Sequence, residues 1–388
     1  MAPPAAPSED ARPSSRPRVA LAHDFIRHGG AEKVLDELHR IWPEAPVYTL
    51  LAEDHPHRRD WDIRPSFLQR FVPPRRYRWP TPIYPFLVDR LRIREPVDLV
   101  VSCSVSWMKS LAPPPGSLHL CYLCRPMMFG YERQDVFLAT YPRPARPFLR
   151  LLANSIRRWD QARTDRPHLY VALSRYIADR VRDLYRREAV VVFPPVETAR
   201  FQEAAVATPP GDYFLTALRL ESYKRVDIVV EACTRLGLPL KVAGRGPEEK
   251  RLREIAGPTV EFLGFVPDEE LPRLYAGCRA FLFPAEEDFG IAPVEALAAG
   301  RPVIAYGAGG CLETVEDGVT GLHFPEQSAS SLMDALRRFE GLDFPAGRLQ
   351  AAARRFRPER FREEMARIAA ELLTQGPPPP PRGPRARG

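Results

Sequence analysis

Two doubly wound α/β domains, facing one another across a cleft, are the fold this sequence predicts. Three observations carry the expectation. The chain has 388 residues with 45% hydrophobic content, long for one domain and comfortable for two. Short apolar runs alternate with amphipathic stretches, the pattern of a parallel sheet covered by helices. That alternation ends near residues 194–207 and then begins again. The expected domains are therefore 18–197 and 198–356. A helix over 357–375 is expected to pack back on the first domain. Residues 1–17 and 376–388 are proline-rich tails that cannot bury a core.

In the first half, RVALAHDF (18–25) reads as a strand, followed by a turn at His28, Gly29 and Gly30 and the helix AEKVLDELHRIW (31–42). DLVVSCS (98–104), HLCYLC (119–124) and HLYVALS (168–174) read as further strands. Ser174 is placed to cap the helix SRYIADRVRDLY. VVVFPPVE (190–197) reads as the last strand of this half. The second half restarts with the strand YFLTAL (213–218) and the helix VDIVVEACTRLG (226–237), closed by Gly237. LPLKVAG, VEFLGFV, AFLFPA and RPVIAY then read as strands. Two such domains make a cleft at the carboxyl ends of their strands, where ligands bind.

Composition excludes several classes of function. The formal charge is +7, but Arg382, Arg385 and Arg387 of the tail carry three of those charges, leaving the body near balance. A nucleic-acid partner, which needs a concentrated basic face, is not expected. No apolar run is long enough for a spanning helix or a secretory signal. The six cysteines are scattered; Cys121 and Cys124 have CxxC spacing but no second pair, so no metal site is expected. Reduced thiols fit a cytoplasmic protein.

Residues 283–295, FPAEEDFGIAPVE, carry the most chemistry. Pro293 suits the first turn of a helix that Gly300 ends. Gly290, Ile291 and Ala292 can therefore turn backbone amides toward an anion, and so can Gly29 and Gly30 after the first strand. Glu287 sits before the turn and Glu295 inside the helix, placed to bond hydroxyl groups of two parts of one ligand. LRLESYKR (218–225) sets Arg219 and Lys224 just after a strand. A guanidinium forks onto phosphate oxygens and an ammonium adds a point charge, which suits a leaving diphosphate. His23 and Asp24, ending the first strand, are expected to face the cleft, where Asp24 could orient an acceptor hydroxyl.

The string FPAEEDFGIAPVEALAAGRPVIAYGAGG…ETVEDGVTGLHF resembles the signature of retaining GT-B glycosyltransferases of family four, the group-one type. LRLESYKRVD, VAGRGPE, ALAHDFIRHGGAEKVL and VALSRYIADRV…VVFPPVE resemble that family's other segments, in order from about residue 18 to 324. The variants HDF…GGAEKVL and SYKRVD look most like bacterial mannosyltransferase-like members. The resemblance implies a GT-B fold and metal-free, retaining transfer from a nucleotide sugar, by front-side displacement and without a cofactor. It implies that Glu287 holds hydroxyls of the donor sugar and Glu295 the ribose. Arg219 and Lys224 would hold the diphosphate, with amides at Gly30 and at Gly290, Ile291 and Ala292. The donor set also includes Phe289, while Gly244, Arg245 and Val266 would border the base.

One segment departs from the family. In HLCYLCRPMMFGY (119–131), Cys124 stands where a histidine is usual and Arg125 where a threonine is. Either could contact the donor sugar. Residues 64–94 hold eight arginines amid Phe67, Phe71, Tyr77, Trp79, Tyr84 and Phe86, which suits either an anionic membrane surface or a solvated, irregular one. The expected function is transfer of a hexose, mannose from GDP-mannose, to a glycan or lipid-linked acceptor at the inner face of the membrane. The alternatives are a UDP-sugar donor and a catalytically silent nucleotide-sugar-binding protein or partner subunit.

Overall fold

The run VALAHDFI is apolar almost throughout because it lies between two other strands and under helices on both faces. It forms β1 (Val19–Ile26), whose Leu21 is flanked by Val47 and Val101. In the computed structural model of the chain, which describes residues 17–27, 30–77, 79–131, 134, 138 and 142–378, this sheet has the order β3-β2-β1-β4-β5-β6-β7. Its other strands are β2 (Val47–Ala52), β3 (Ile63–Pro65), β4 (Leu99–Ser104), β5 (Leu118–Leu123), β6 (Leu169–Ala172) and β7 (Ala189–Val191). The second sheet has the order β10-β9-β8-β11-β12-β13. It consists of β8 (Phe214–Ala217), β9 (Leu240–Ala243), β10 (Val260–Gly264), β11 (Ala280–Phe283), β12 (Val303–Tyr306) and β13 (Gly321–Phe324). All pairings within both sheets are parallel. The doubly wound pair expected from the sequence is the observed architecture.

Helices cover the first sheet: α1 (Gly30–Ile41), α2 (Tyr84–Arg90), α3 (Arg146–Gln161) and α4 (Arg175–Tyr185). Ser174 caps α4, its hydroxyl accepting from Ile177 N at 3.1 Å. The second sheet carries α5 (Thr198–Ala207), α6 (Val226–Leu236), α7 (Glu249–Ile255), α8 (Leu271–Gly277), α9 (Ile291–Ala298), α10 (Cys311–Thr314), α11 (Ala329–Phe339) and α12 (Ala346–Ala353). The strand expected at 190–197 pairs only as far as Val191. Pro194 and Pro195 have no N–H to donate to a ladder, so the chain leaves the sheet there and crosses to the second domain. At that crossing Val196 N donates to Phe356 O at 2.8 Å.

After α12 the chain crosses back. α13 (Pro358–Gln375) lies against α1 and β5. Its Phe361 ring meets Tyr122 edge-on with centroids 5.4 Å apart, and Arg362 pairs with Glu37 of α1. Phe361, Met365, Ile368 and Leu372 are all buried in this contact. Truncating one such aromatic to alanine costs about 3–5 kcal/mol.

Candidate active site

The loop after β8 holds its shape because it continues the ladder with the loop after β9. Leu218 N donates to Ala243 O at 3.1 Å and Leu220 N to Arg245 O at 3.0 Å. Gly244 makes this approach possible: its φ is +133°, and a Cβ there would lie 2.0 Å from Leu218 O. One helical turn, Ser222–Lys224, follows. It delivers Lys224, only 9% exposed, to the carboxylate of Glu287, with which it is ion-paired. Arg219 stays exposed and donates to the Tyr223 hydroxyl at 3.0 Å.

Glu287 is fixed from behind. The turn Gly307–Gly310 presses on its backbone, with Gly310 N donating to Glu287 O at 2.8 Å. A Cβ on Gly310 would sit 2.3 Å from Phe289 Cα, so the glycine permits a contact no other residue could make. Gly290 then takes φ +89° and opens α9. The first-turn amides of α9 have no intrahelical acceptor, and the helix dipole adds positive potential there. Gly30, at the start of α1, faces this turn across the cleft: a Cβ on it would lie 3.4 Å from Ile291 Cδ1. Gly29 lies outside the described residues.

A pocket of about 220 Å³ lies between the domains. The second domain lines it with Tyr223, Glu286, Glu287 and Asp288, and the first with Arg125, Pro126, Met127, Tyr131, Tyr176 and Arg180, among others. Arg125 Nε is 3.0 Å from Asp288 Oδ2. Burial acts to lower the Arg125 pKa, but its neighbours, Asp288 first and then Glu287, act against it and the pKa is raised. Tyr176 donates to Glu286 Oε1 at 2.9 Å. Tyr131 donates to Asp160 at 2.8 Å, and Asp160 pairs with Lys109 at 2.8 Å with both side chains fully buried. Near-balanced charges, carboxylate acceptors and guanidinium donors suit a neutral, many-hydroxyl ligand.

Glu295 serves a different neighbourhood from Glu287. Burial raises its pKa, while Lys33 of α1, Arg200 and the Tyr275 hydroxyl act in the opposite sense. Arg245 is exposed and Val266 half-buried beyond β10; neither belongs to the pocket beside Glu287. Four expectations need correction. Asp24 is 1% exposed, and its carboxylate already accepts Val105 N (2.7 Å), Ser106 N (2.6 Å), Trp107 N (2.9 Å) and Met108 N (2.6 Å); it anchors a loop and has no oxygen free for an acceptor. His23 is likewise buried, bonded to Cys103 O at 2.7 Å. Phe289 is 4% exposed and packs between Phe193 and Phe356, at 5.8 and 5.4 Å, so its side chain supports the site from the core. Cys124 is also core, its sulfur 3.9 Å from that of Cys103. Of the two altered positions only Arg125 lines the pocket.

Sequence reasoning missed Tyr176, Arg180 and Tyr131. The first two carried a signal: they stand four apart on α4 and so share one face. Tyr131 carried none, because its partner Asp160 lies 29 residues away.

Comparison with known proteins bears on the second domain and on the fold. Residues 197–356 match the glycosyl transferases group 1 family. The match covers the second domain. Among curated relatives, the GDP-mannose-dependent alpha-mannosyltransferase of Corynebacterium glutamicum is 39% identical over 105 residues, 27% of this chain and 25% of that one. Human alpha-1,3/1,6-mannosyltransferase ALG2 is 35% identical over 223 residues, 47% of this chain and 52% of that one. The chain thus spans between about a quarter and about half the length of these relatives. Solved structures match over nearly the whole chain. A glycosyltransferase from Rickettsia africae ESF-5 gives a TM-score of 0.64 at 16% identity, covering 93% of this chain and all of that one. Anabaena HepE, solved with UDP and glucose, gives 0.65 at 17%, covering 92% of this chain and 100% of that one. At such identities the likeness establishes the fold, which is GT-B. The group 1 domain is therefore the half that carries Arg219, Lys224, Glu287 and Glu295.

Proposed function

We propose that the protein transfers a hexose from a nucleotide-diphosphate sugar to a hydroxyl of a glycan or lipid-linked saccharide, with mannose from GDP-mannose as the donor. The Lys224–Glu287 pair beside the N-terminus of α9, in a group 1 domain, carries this reading. Arg219, Lys224 and the amides of Gly290, Ile291 and Ala292 would hold the diphosphate. Glu287 would take hydroxyls of the sugar, Glu295 the ribose, and the turns at Gly244, Arg245 and Val266 would border the base.

Transfer with retention then needs no protein nucleophile. The bond from C1 to the diphosphate oxygen breaks as the acceptor oxygen bonds to C1 on the same face. The acceptor proton passes to the departing phosphate oxygen. Arg219 and Lys224 neutralise the charge that develops there, the task a metal would otherwise perform. Mannose is favoured by the names of the Corynebacterium and human relatives. A UDP-sugar is the second reading, because backbone turns around a base distinguish purine from pyrimidine poorly.

No helix among the described residues is long and apolar enough to cross a membrane. Phe67, Phe71, Trp79 and Phe86 are nevertheless exposed. Arg76 lies 4.3 Å over the Trp79 ring and Arg90 4.2 Å over that of Phe86. We propose that this surface meets the inner face of an anionic membrane, where lipid-linked acceptors are found.

A thermal-shift panel of GDP, UDP, ADP and their sugar conjugates, with and without divalent metal, tests the donor. Selective stabilisation by GDP and GDP-mannose is expected without metal. Binding with no release of nucleotide, across a range of acceptors, would favour the silent reading; no shift with any nucleotide would overturn both.

A further inference from the structure

The first turn of α4 is held by both domains. Within its own domain, Ser174 Oγ accepts from Ile177 N at 3.1 Å. From the other domain, the carboxylate of Glu313 accepts from Arg175 N at 2.9 Å and from Tyr176 N at 3.0 Å. Both oxygens of Glu313 are thus spent on the positive end of a helix that belongs to the opposite domain. The same turn reaches back twice more. Ser174 donates its hydroxyl to Asp288 O at 2.6 Å, and Tyr176 donates to Glu286 at 2.9 Å. Arg355 donates to the backbone carbonyl of Glu313 and so steadies the residue from its own side.

We propose that Glu313 is a positioning residue that holds the cleft closed. It touches none of the groups assigned to the donor. It acts through α4, which presents Tyr176 and Arg180 to the pocket. Opening the domains would strip two amides from one carboxylate, and each group would regain water. The contact is therefore reversible, a bias on an open–closed equilibrium. When that bias is removed, the binding-competent state is less populated, and apparent affinity for a ligand held between the domains falls by the same fraction. Closure by Glu313 stands on the geometry alone; its effect on nucleotide affinity rests on the function proposed above.

Small-angle scattering of the full chain, free and with GDP, tests this, together with the GDP dissociation constant. Glu313→Ala is expected to enlarge the radius of gyration of the free protein. It should also weaken GDP by about tenfold, and saturating GDP should restore the wild-type radius. Glu313→Gln, which keeps one oxygen acceptor, should fall between. Glu363→Ala, on the exposed side of α13, should reproduce the wild type. A folded Glu313→Ala protein with wild-type radius and wild-type GDP affinity overturns the proposal. If that variant does not fold, the same two readings on Glu313→Gln decide. If the wild type binds neither GDP nor UDP, the glycosyl-transfer reading fails, and the scattering of the free proteins alone judges Glu313.

Discussion

The ammonium of Lys224 is ion-paired to the carboxylate of Glu287, joining the loop after β8 to the stretch that leads into α9. Each partner is mostly buried, so removing one leaves the other without its counter-charge. Lys224→Ala and Glu287→Gln should each lower kcat/KM by about 10²–10³. The double variant should lose little more than either single one, because the two act as a unit. Donor turnover read beside Tm checks this. Wild-type turnover in either variant would remove the pair from the site.

Asp24 makes the opposite kind of prediction. Asp24→Ala leaves four backbone amides of the 105–108 loop without an acceptor. At about 1–3 kcal/mol for each buried orphan, a loss of at least about 3 kcal/mol is expected by urea denaturation. Unchanged stability with lost acceptor use would return Asp24 to catalysis.

His119 sets a pH dependence. It is fully buried on β5, with Nε2 2.7 Å from Ser102 Oγ. Burial first, and then the neighbouring His168, push its pKa down from 6.5 to about 3. Between those values the unfolded chain binds a proton that the folded chain refuses, so stability is full above pH 6.5 and falls as pH drops toward 3. The slope is about 1.4 kcal/mol per pH unit. His119→Gln should flatten this slope between pH 6.5 and 4 in denaturant titrations. An unchanged slope would show that His119 accepts its proton in the fold.

The aromatic surface predicts binding without a stability signature. Phe71 is 76% exposed and Trp79 71%. Phe71→Ser with Trp79→Ser should weaken binding to anionic vesicles by about tenfold or more, from lost apolar burial. The variant should leave Tm within about one degree, as surface changes usually do. Equal binding of wild type and variant would assign the surface to solvent.

The architecture was legible because parallel strands buried on both faces read as apolar runs. β1, β4, β5 and β11 announced themselves that way. β2 (VYTLLA) and β13 (GLHF) were not read as strands, although Pro46 and Asp317-Gly318 supply turn residues before them. Lys224 and Glu287 could be picked from the chain as candidates, but their pairing across 63 residues could not. Asp24 and Phe289 show the limit of such reading. A strand-end carboxylate looks the same in sequence whether it faces a ligand or four amides, and an aromatic beside a glycine turn looks the same whether it faces a cleft or a core.

The return of α13 to the first sheet bears on how the protein is made. Tyr122 and α1 pack against Phe361 and Arg362, residues that follow the entire second domain. On the ribosome, the domain synthesised first therefore waits, with that apolar surface open, until Phe361 through Leu372 have emerged. The half translated first is the half completed last, and a stalled or shortened message leaves a sticky intermediate rather than a finished domain.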